Sequence, residues 1–358
     1  MSLAGWTTRV IGQNLKSPKP AITATDAGLR RRLLCAAIVL LAISSPLSLH
    51  GAKLKRVPDG ILWADPGDIK ARNLYFGVGG EANQPQPPVK FSKEDLNGTS
   101  AKFDVHDRAH LKWKAKLGIE AQPETVASRL LWAVGYFANE NYYFPTLRVE
   151  DLPRLRRGQE FVGTTGEVRG VRLQQHLGDK KKAGTWSWHH SVFAGTREFN
   201  GLRVMMALLN NWDLKDENNA VFDDPDRAGK KIYEVSDVGA SFGPAGESYS
   251  NRKSKASIPS YRTAKFISKV TRDHVDFNFP THLPFLYVFN APHFFSELHN
   301  RSIGKHIPRA DARWIGSLLA QLSHEQIRDS FRAGGYSTAD IEAYSQIVEK
   351  RIAALAAL

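Results

Sequence analysis

The order of hydrophobic periods along the chain constrains its fold more than any other feature. Strand-like alternation with a single helix comes first, and helices come last. Residues 101–118 alternate, with Phe103 and Val105 and then Leu111, Trp113, Ala115 and Leu117 as the apolar positions. The pattern predicts two strands that turn near Asp107 and Arg108. Pro123 opens a helical period, with apolar or small residues at 126, 127, 130, 131 and 134. Residues 142–176 read as short strands and turns. The helical period returns over 197–209 and is followed by a polar loop at 210–219. Short strands are expected at 220–222 and 231–235, then helices over 307–322, 324–332 and 338–355. Strands gathered ahead of helices predict an α+β fold with a cleft between a strand-rich part and a helical part.

Composition narrows the class without choosing a function. With 358 residues, 42% hydrophobic and 24% charged, the chain is globular, not collagenous, wholly disordered or a multi-span membrane protein. Cys35 is the only cysteine, which excludes an internal disulfide framework and any cysteine-rich zinc or iron–sulfur site. The net charge of +13 suits anionic partners, but no nucleic-acid-binding motif accompanies it.

Residues 1–52 carry net +5 of that charge, including Arg30-Arg31-Arg32 directly before the apolar run that starts at Leu33. The run gives way to Ser44-Ser45-Pro46 and small residues through Gly51-Ala52. A basic stretch, a short apolar core and a small-residue exit predict a signal peptide or an N-terminal membrane anchor behind a polar arm. Either one is expected to place the remaining chain outside the cytoplasm, periplasmic in a bacterium.

The densest polar constellation lies at 210–219, between a helix and a strand. There Asp213-Leu-Lys215-x-x-Asn218 is followed by Tyr233-Glu-Val-Ser-Asp237-Val-Gly239 at a strand end. Two separate carboxylates, one with a carboxamide five residues on, suit phosphoryl transfer. One aspartate orients or deprotonates a hydroxyl, while the other acts with the asparagine on a metal. Solvated turns capped by Asn and Asp would look alike locally, but the order and the strand-end setting agree jointly with the chemical reading.

These two segments resemble the catalytic loop and metal-binding D-x-G of the protein-kinase-like superfamily. Asn211-Trp212 stands where ordinary protein kinases have His-Arg. The closer likeness is to atypical branches: HipA-like kinases, phosphatidylinositol 3-/4-kinases and secreted CotH- or Golgi-type kinases. The resemblance implies a two-lobed fold with a strand-rich N-lobe and a mainly helical C-lobe. It implies Asp213 and Lys215 as catalytic residues, with Asn218 and Asp237 as metal ligands. It also calls for a phosphate-contacting lysine, with Lys116 favoured over Lys114. The partner of that lysine on the following helix would be Glu124, with Glu120 second. A phosphate-covering loop is expected at Gly98-Thr99-Ser100. Gly77-Val-Gly79-Gly80 is richer in glycine but opens neither a helix nor a strand–helix unit.

The resulting division is 1–52 as signal or anchor, 53–89 as an extended segment, 90–190 as N-lobe and 191–358 as C-lobe. The implied cofactors are ATP and Mg2+, with Mn2+ as the alternative metal. The acceptor is a hydroxyl on a protein, a glycan or a small molecule. A second reading, from a different class, is an exported pseudokinase that binds anionic ligands without catalysis.

Overall fold

Alternating apolar residues close the first lobe into a barrel. The computed structural model describes residues 60–98, 100–175, 182–224, 229–243, 257–279 and 299–358. Strands β2 (Val89–Asp95), β3 (Lys102–His106), β4 (Lys112–Leu117), β5 (Asn141–Glu150) and β6 (Glu167–Gln175) pair in the closed order β2-β3-β4-β6-β5. All neighbours are antiparallel except β2 and β5, which close the barrel in parallel. Phe103, Val105, Trp113, Ala115, Leu117, Val171 and Leu173 fill its interior, as the period-2 pattern requires. Asp107 builds the turn between β3 and β4: its carboxylate accepts from Leu111 N–H and from Trp113 Nε1. β5 and β6 are long continuous strands, not the short pieces that the sequence of 142–176 suggests. Their side chains pack on the barrel interior and also against helix α1 (Ala121–Ala133).

α1 follows β4 almost at once, through Gly118 at φ 91°. It starts two residues before Pro123, which sits in the first turn where a missing N–H costs nothing. The helix is buried on nearly every side because it lies between the outer face of the barrel and helix α5 (His324–Ala333). Its apolar residues join the larger, helical core and not the barrel interior. Gln122 Nε2 donates to the Gly335 carbonyl, and Gly334 lets the backbone approach Val126.

The second lobe is mainly helical, with α2 (Arg197–Leu209) as its buried centre, and the fold is α+β with the lobe order that the resemblance implies. Around α2 pack α3 (Ile258–Thr263), α4 (Arg309–Leu319) and α6 (Thr338–Ala356). Strands β1 (Gly60–Ile61), β7 (Lys182–Gly184), β8 (Asn219–Asp223) and β9 (Lys231–Val235) form a sheet in the order β1-β9-β8-β7. A second sheet joins β10 (Ile267–Val270), β11 (His274–Phe277) and β12 (Ile307–Pro308).

The segment read as extended at 53–89 differs in its described part, residues 60–89. Leu62, Ile69 and Leu74 enter the helical core, and β1 pairs with β9. Gln326 Nε2 donates to the Ile69 and Arg72 carbonyls, so backbone groups of the segment are satisfied by the second lobe. The proposed signal or anchor at 1–52 lies outside the described residues. Among the described residues no helix is long and apolar enough to cross a membrane.

Candidate active site

The polar loop at 210–219 begins where helix α2 is stopped. Asn210 adopts the left-handed conformation at φ 56°, a common helix terminator. Buried Arg351 donates to the Ala207 and Leu208 carbonyls at 3.0 Å each, adding to the bonds that close the last turn. The Asn211 carboxamide then accepts from Asp213 N–H at 3.0 Å. Asn218 Nδ2 reaches back to the Asp213 carbonyl at 2.9 Å. These bonds fold the loop on itself, so Asp213 and Asn218 are set by a turn and not by packing.

The second segment is tied to the first through Ser236, whose Oγ donates to the Asn218 carbonyl at 2.7 Å. Asp237 follows at φ 51°, a conformation that non-glycine residues adopt only when their surroundings hold them there. Gly239 packs against Glu120 so closely that a Cβ there would lie 2.8 Å from the Glu120 Cβ.

From the other lobe comes Lys116. Lys112, Lys114 and Lys116 share the outer face of β4, and their side chains are 34%, 35% and 4% exposed. The drop at Lys116 is the work of α1, which covers that end of the strand. Lys116 Nζ lies 3.0 Å from Glu124, 2.7 Å from Asp237 and 2.5 Å from Glu120. Burial works against its charge, but Glu124, Asp237 and Glu120 together overcome that and hold its pKa above the usual lysine value. Lys114 instead pairs with Asp95 at 2.8 Å. Glu120 and Glu124 stand one helical turn apart, so both sequence candidates for the lysine's partner meet it.

The cleft between the barrel and the β8–β9 sheet has a volume of about 1030 Å³. Gly98, Ser100, Lys116 and Glu124 line it from one side, and Asp213, Lys215, Asn218 and Asp237 from the other. Thr99 lies outside the described residues. Gly98, at φ 66°, turns the β2–β3 loop over the cleft, and Ser100 Oγ donates to Glu120 at 3.2 Å. Lys215 Nζ sits 2.8 Å from Asp213 Oδ1. Burial opposes the Lys215 charge, and the bond to Asp213 outweighs it, so its pKa is raised.

Two residues escaped the sequence reading. Arg172 on β6 is the ladder neighbour of Lys116 and bonds Glu124 Oε1 at 3.0 Å. Lys102 is the ladder neighbour on the other side and is half-buried beside the cleft. Burial lowers its pKa, and the nearby Asp95 works in the opposite sense. A charged residue on a strand whose two faces are both covered would have marked Arg172, but only the fold shows the covering. Trp186 and Trp188 pack with Phe199 in the helical core. Gly77–Gly80 forms a turn against Arg129 and Tyr142.

Among the described residues no group of three or more His, Cys, Asp or Glu side chains is arranged around a common metal position. A magnesium ion carried by a nucleotide needs less, because water and phosphate supply most of its oxygens. Asn218 and Asp237 fit that role. The Asn218 amide nitrogen is spent on Asp213, so Oδ1 is the atom that could face an ion, and the Asp237 side chain is half open to the cleft.

No protein-family model matches the sequence, and no curated protein matches it. Among solved structures, the chain is similar to a Helicobacter pylori proinflammatory kinase, CtkA. That match has a TM-score of 0.43 at 9% identity and covers 76% of this chain and 98% of the other. It is also similar to a Golgi casein kinase, with a TM-score of 0.35 at 12% identity over 76% of this chain and 72% of that one.

Proposed function

We propose that this protein is a protein-kinase-like phosphotransferase that moves the γ-phosphoryl group of ATP to a hydroxyl. The observation that carries the reading is the ammonium of Lys116. It is buried in the wall of the cleft and bonded at once to Glu124 of the helix that follows its strand and to Asp237, 121 residues away. A cation placed there meets the phosphates of a nucleotide lying under the 96–101 loop, and Glu124 fixes its direction. Asp213 accepts the proton of the acceptor hydroxyl as the oxygen attacks phosphorus. Lys215, bonded to Asp213, faces the group in transfer and offsets its charge. Asn218 and Asp237 would hold the divalent ion, Mg2+ or Mn2+, which when bound neutralises charge on the phosphate oxygens. To hold the ion, Asp237 would give up its bond to Lys116.

Thermal unfolding with ATP and magnesium, together with transfer of labelled phosphate, tests the reading. The wild-type protein is expected to be stabilised by the pair and not by either alone. Asp237→Ala should abolish the shift while remaining folded. Protein that binds Mg-ATP but never transfers phosphate, with magnesium or manganese, would be the pseudokinase. Protein that neither binds nor transfers would end the proposal.

A further inference from the structure

We infer that Arg172 is a positioning residue for phosphoryl transfer, holding Glu124 so that Lys116 is free to leave Asp237 for the nucleotide; this rests on the function proposed above. Lys116 and Arg172 are directly paired on neighbouring strands β4 and β6, and their side chains are equally buried. Two cations side by side repel each other, and a carboxylate bonded to both offsets that repulsion. Glu124 is that carboxylate, giving Oε2 to Lys116 at 3.0 Å and Oε1 to Arg172 at 3.0 Å.

The division of labour matters once a ligand arrives. A nucleotide and its metal would draw Lys116 toward phosphate and Asp237 toward the ion. Without Arg172, Glu124 would follow the lysine or be left as a buried, unpaired charge. With Arg172, it stays neutralised and stays in place.

The other arm of the guanidinium ties this contact to the rest of the site. Arg172 Nη1 donates to Gln174 Oε1 at 2.7 Å, and Gln174 Nε2 donates to Asn139 Oδ1 at 2.8 Å. Asn139 follows Ala138, which bridges to Val235, and Val235 N–H donates to the Phe137 carbonyl at 3.0 Å. Val235 lies two residues before Asp237, so the chain of contacts that starts at Lys116 returns to its other partner. Arg172 stands in the middle of that ring. Its Nε–H is buried and has no hydrogen-bond partner among the described residues. An arginine serving stability alone would be poorly chosen there, since an apolar side chain would fill the space without an unsatisfied donor.

The experiment compares full-length wild type with R172M, R172K and Q174M, alone and combined with K116M. Mg-ATP is the probe, and phosphate passed to water or to the protein itself is the measured product. R172M is expected to lower kcat by about 10- to 100-fold, the cost of a misplaced catalytic cation. Its KM for Mg-ATP should move by less than about threefold, as for an interaction used mainly in the transition state. R172K keeps the charge but cannot hold Glu124 and Gln174 together, so it should recover part of the loss. In the K116M background R172M should cost nothing further, because it acts through that lysine. Wild-type turnover in R172M would overturn the inference alone, and so would the same loss repeated in the K116M background. If R172M does not fold, Q174M decides, since it frees the far arm of the guanidinium: a fall in kcat at steady KM supports the inference, and unchanged kcat overturns it. Wild-type protein that neither binds nor turns over Mg-ATP would remove both the function and the inference.

Discussion

On the barrel side of the cleft Lys116, Glu124 and Arg172 are buried and bonded to one another or to neighbouring acids. On the opposite side the charged groups stand in turns, open to solvent. The Glu124 side chain is 1% exposed, while those of Asp237 and Lys215 are 49% and 61% exposed. The buried side is held by low dielectric and packing: α1 belongs to the helical core, so Glu124 is anchored by the larger lobe while Lys116 is anchored by the barrel. The open side is held by backbone, through the positive φ of Asn210 and Asp237 and the Asn218 bond to the Asp213 carbonyl. One set of charges is part of what keeps the protein folded, and the other is part of its surface. The same kind of substitution is therefore expected to read as lost stability on one side and as lost chemistry on the other.

Asp213→Ala is the strongest way to break that contrast. If Asp213 is the proton acceptor proposed above, its loss should lower phosphate transfer by about 10²- to 10⁴-fold. Thermal stability should change by no more than about 0.5 kcal/mol, because among the described residues the side chain bonds exposed Lys215 alone. A large drop in melting temperature would show that the turn side is structural after all.

Glu124→Gln probes the opposite side. It removes the carboxylate shared by Lys116 and Arg172 and leaves two cations facing each other in the wall of the cleft. Breaking a buried ion pair by removing one member costs about 3–5 kcal/mol, which denaturant unfolding would read directly. A variant as stable as wild type would mean that Glu120 and Asp237 alone suffice for Lys116, and the distinction between the two sides would lose its energetic basis.

The same contrast explains what the sequence could disclose. Asp213, Lys215, Asn218 and Asp237 lie in turns between recognisable elements, and turn chemistry is local, so their spacing is visible along the chain. Lys116 and its neighbours on β4 are visible as a shared face, but only α1 decides which of them is buried. The short distance from Lys116 to Glu124 makes sense once Gly118 starts the helix early, which also brings in Glu120. Arg172 is hidden because β6 looks like a strand with one solvated face. Its burial is a tertiary event, created when α1 covers the outside of the barrel. The packing of 60–80 on the second lobe is equally non-local, resting on contacts such as Gln326 to Ile69.

A smaller effect is expected at the exposed end of the barrel, where acid should act on the β2–β3 loop before it unfolds either core. Asp95 closes β2 just ahead of Gly98 and bonds Lys114 at 2.8 Å and the Asn97 N–H at 3.0 Å. Burial raises its pKa, but the bonds to Lys114 and Asn97 and the nearby charge of Lys102 outweigh this and bring it down to about 2. A carboxyl whose pKa is lower when folded binds fewer protons in the native state than in the unfolded one. Its contribution is therefore complete above its ordinary value near 3.8 and is lost as the pH falls from about 4 to about 2. Lys116 has the opposite sign: its pKa is raised, so its contribution is complete below the ordinary lysine value of 10.5 and fades only in strong alkali. Hydrogen exchange at the Asn97 amide, followed alongside the Asp95 carboxyl resonance, reads the first of these. Exchange should quicken through the titration of Asp95, and Lys114→Met should shift that titration toward higher pH. If Lys114→Met leaves the Asp95 midpoint near 2, the lysine is not what holds the carboxylate charged, and the loop is fixed by its backbone turn alone.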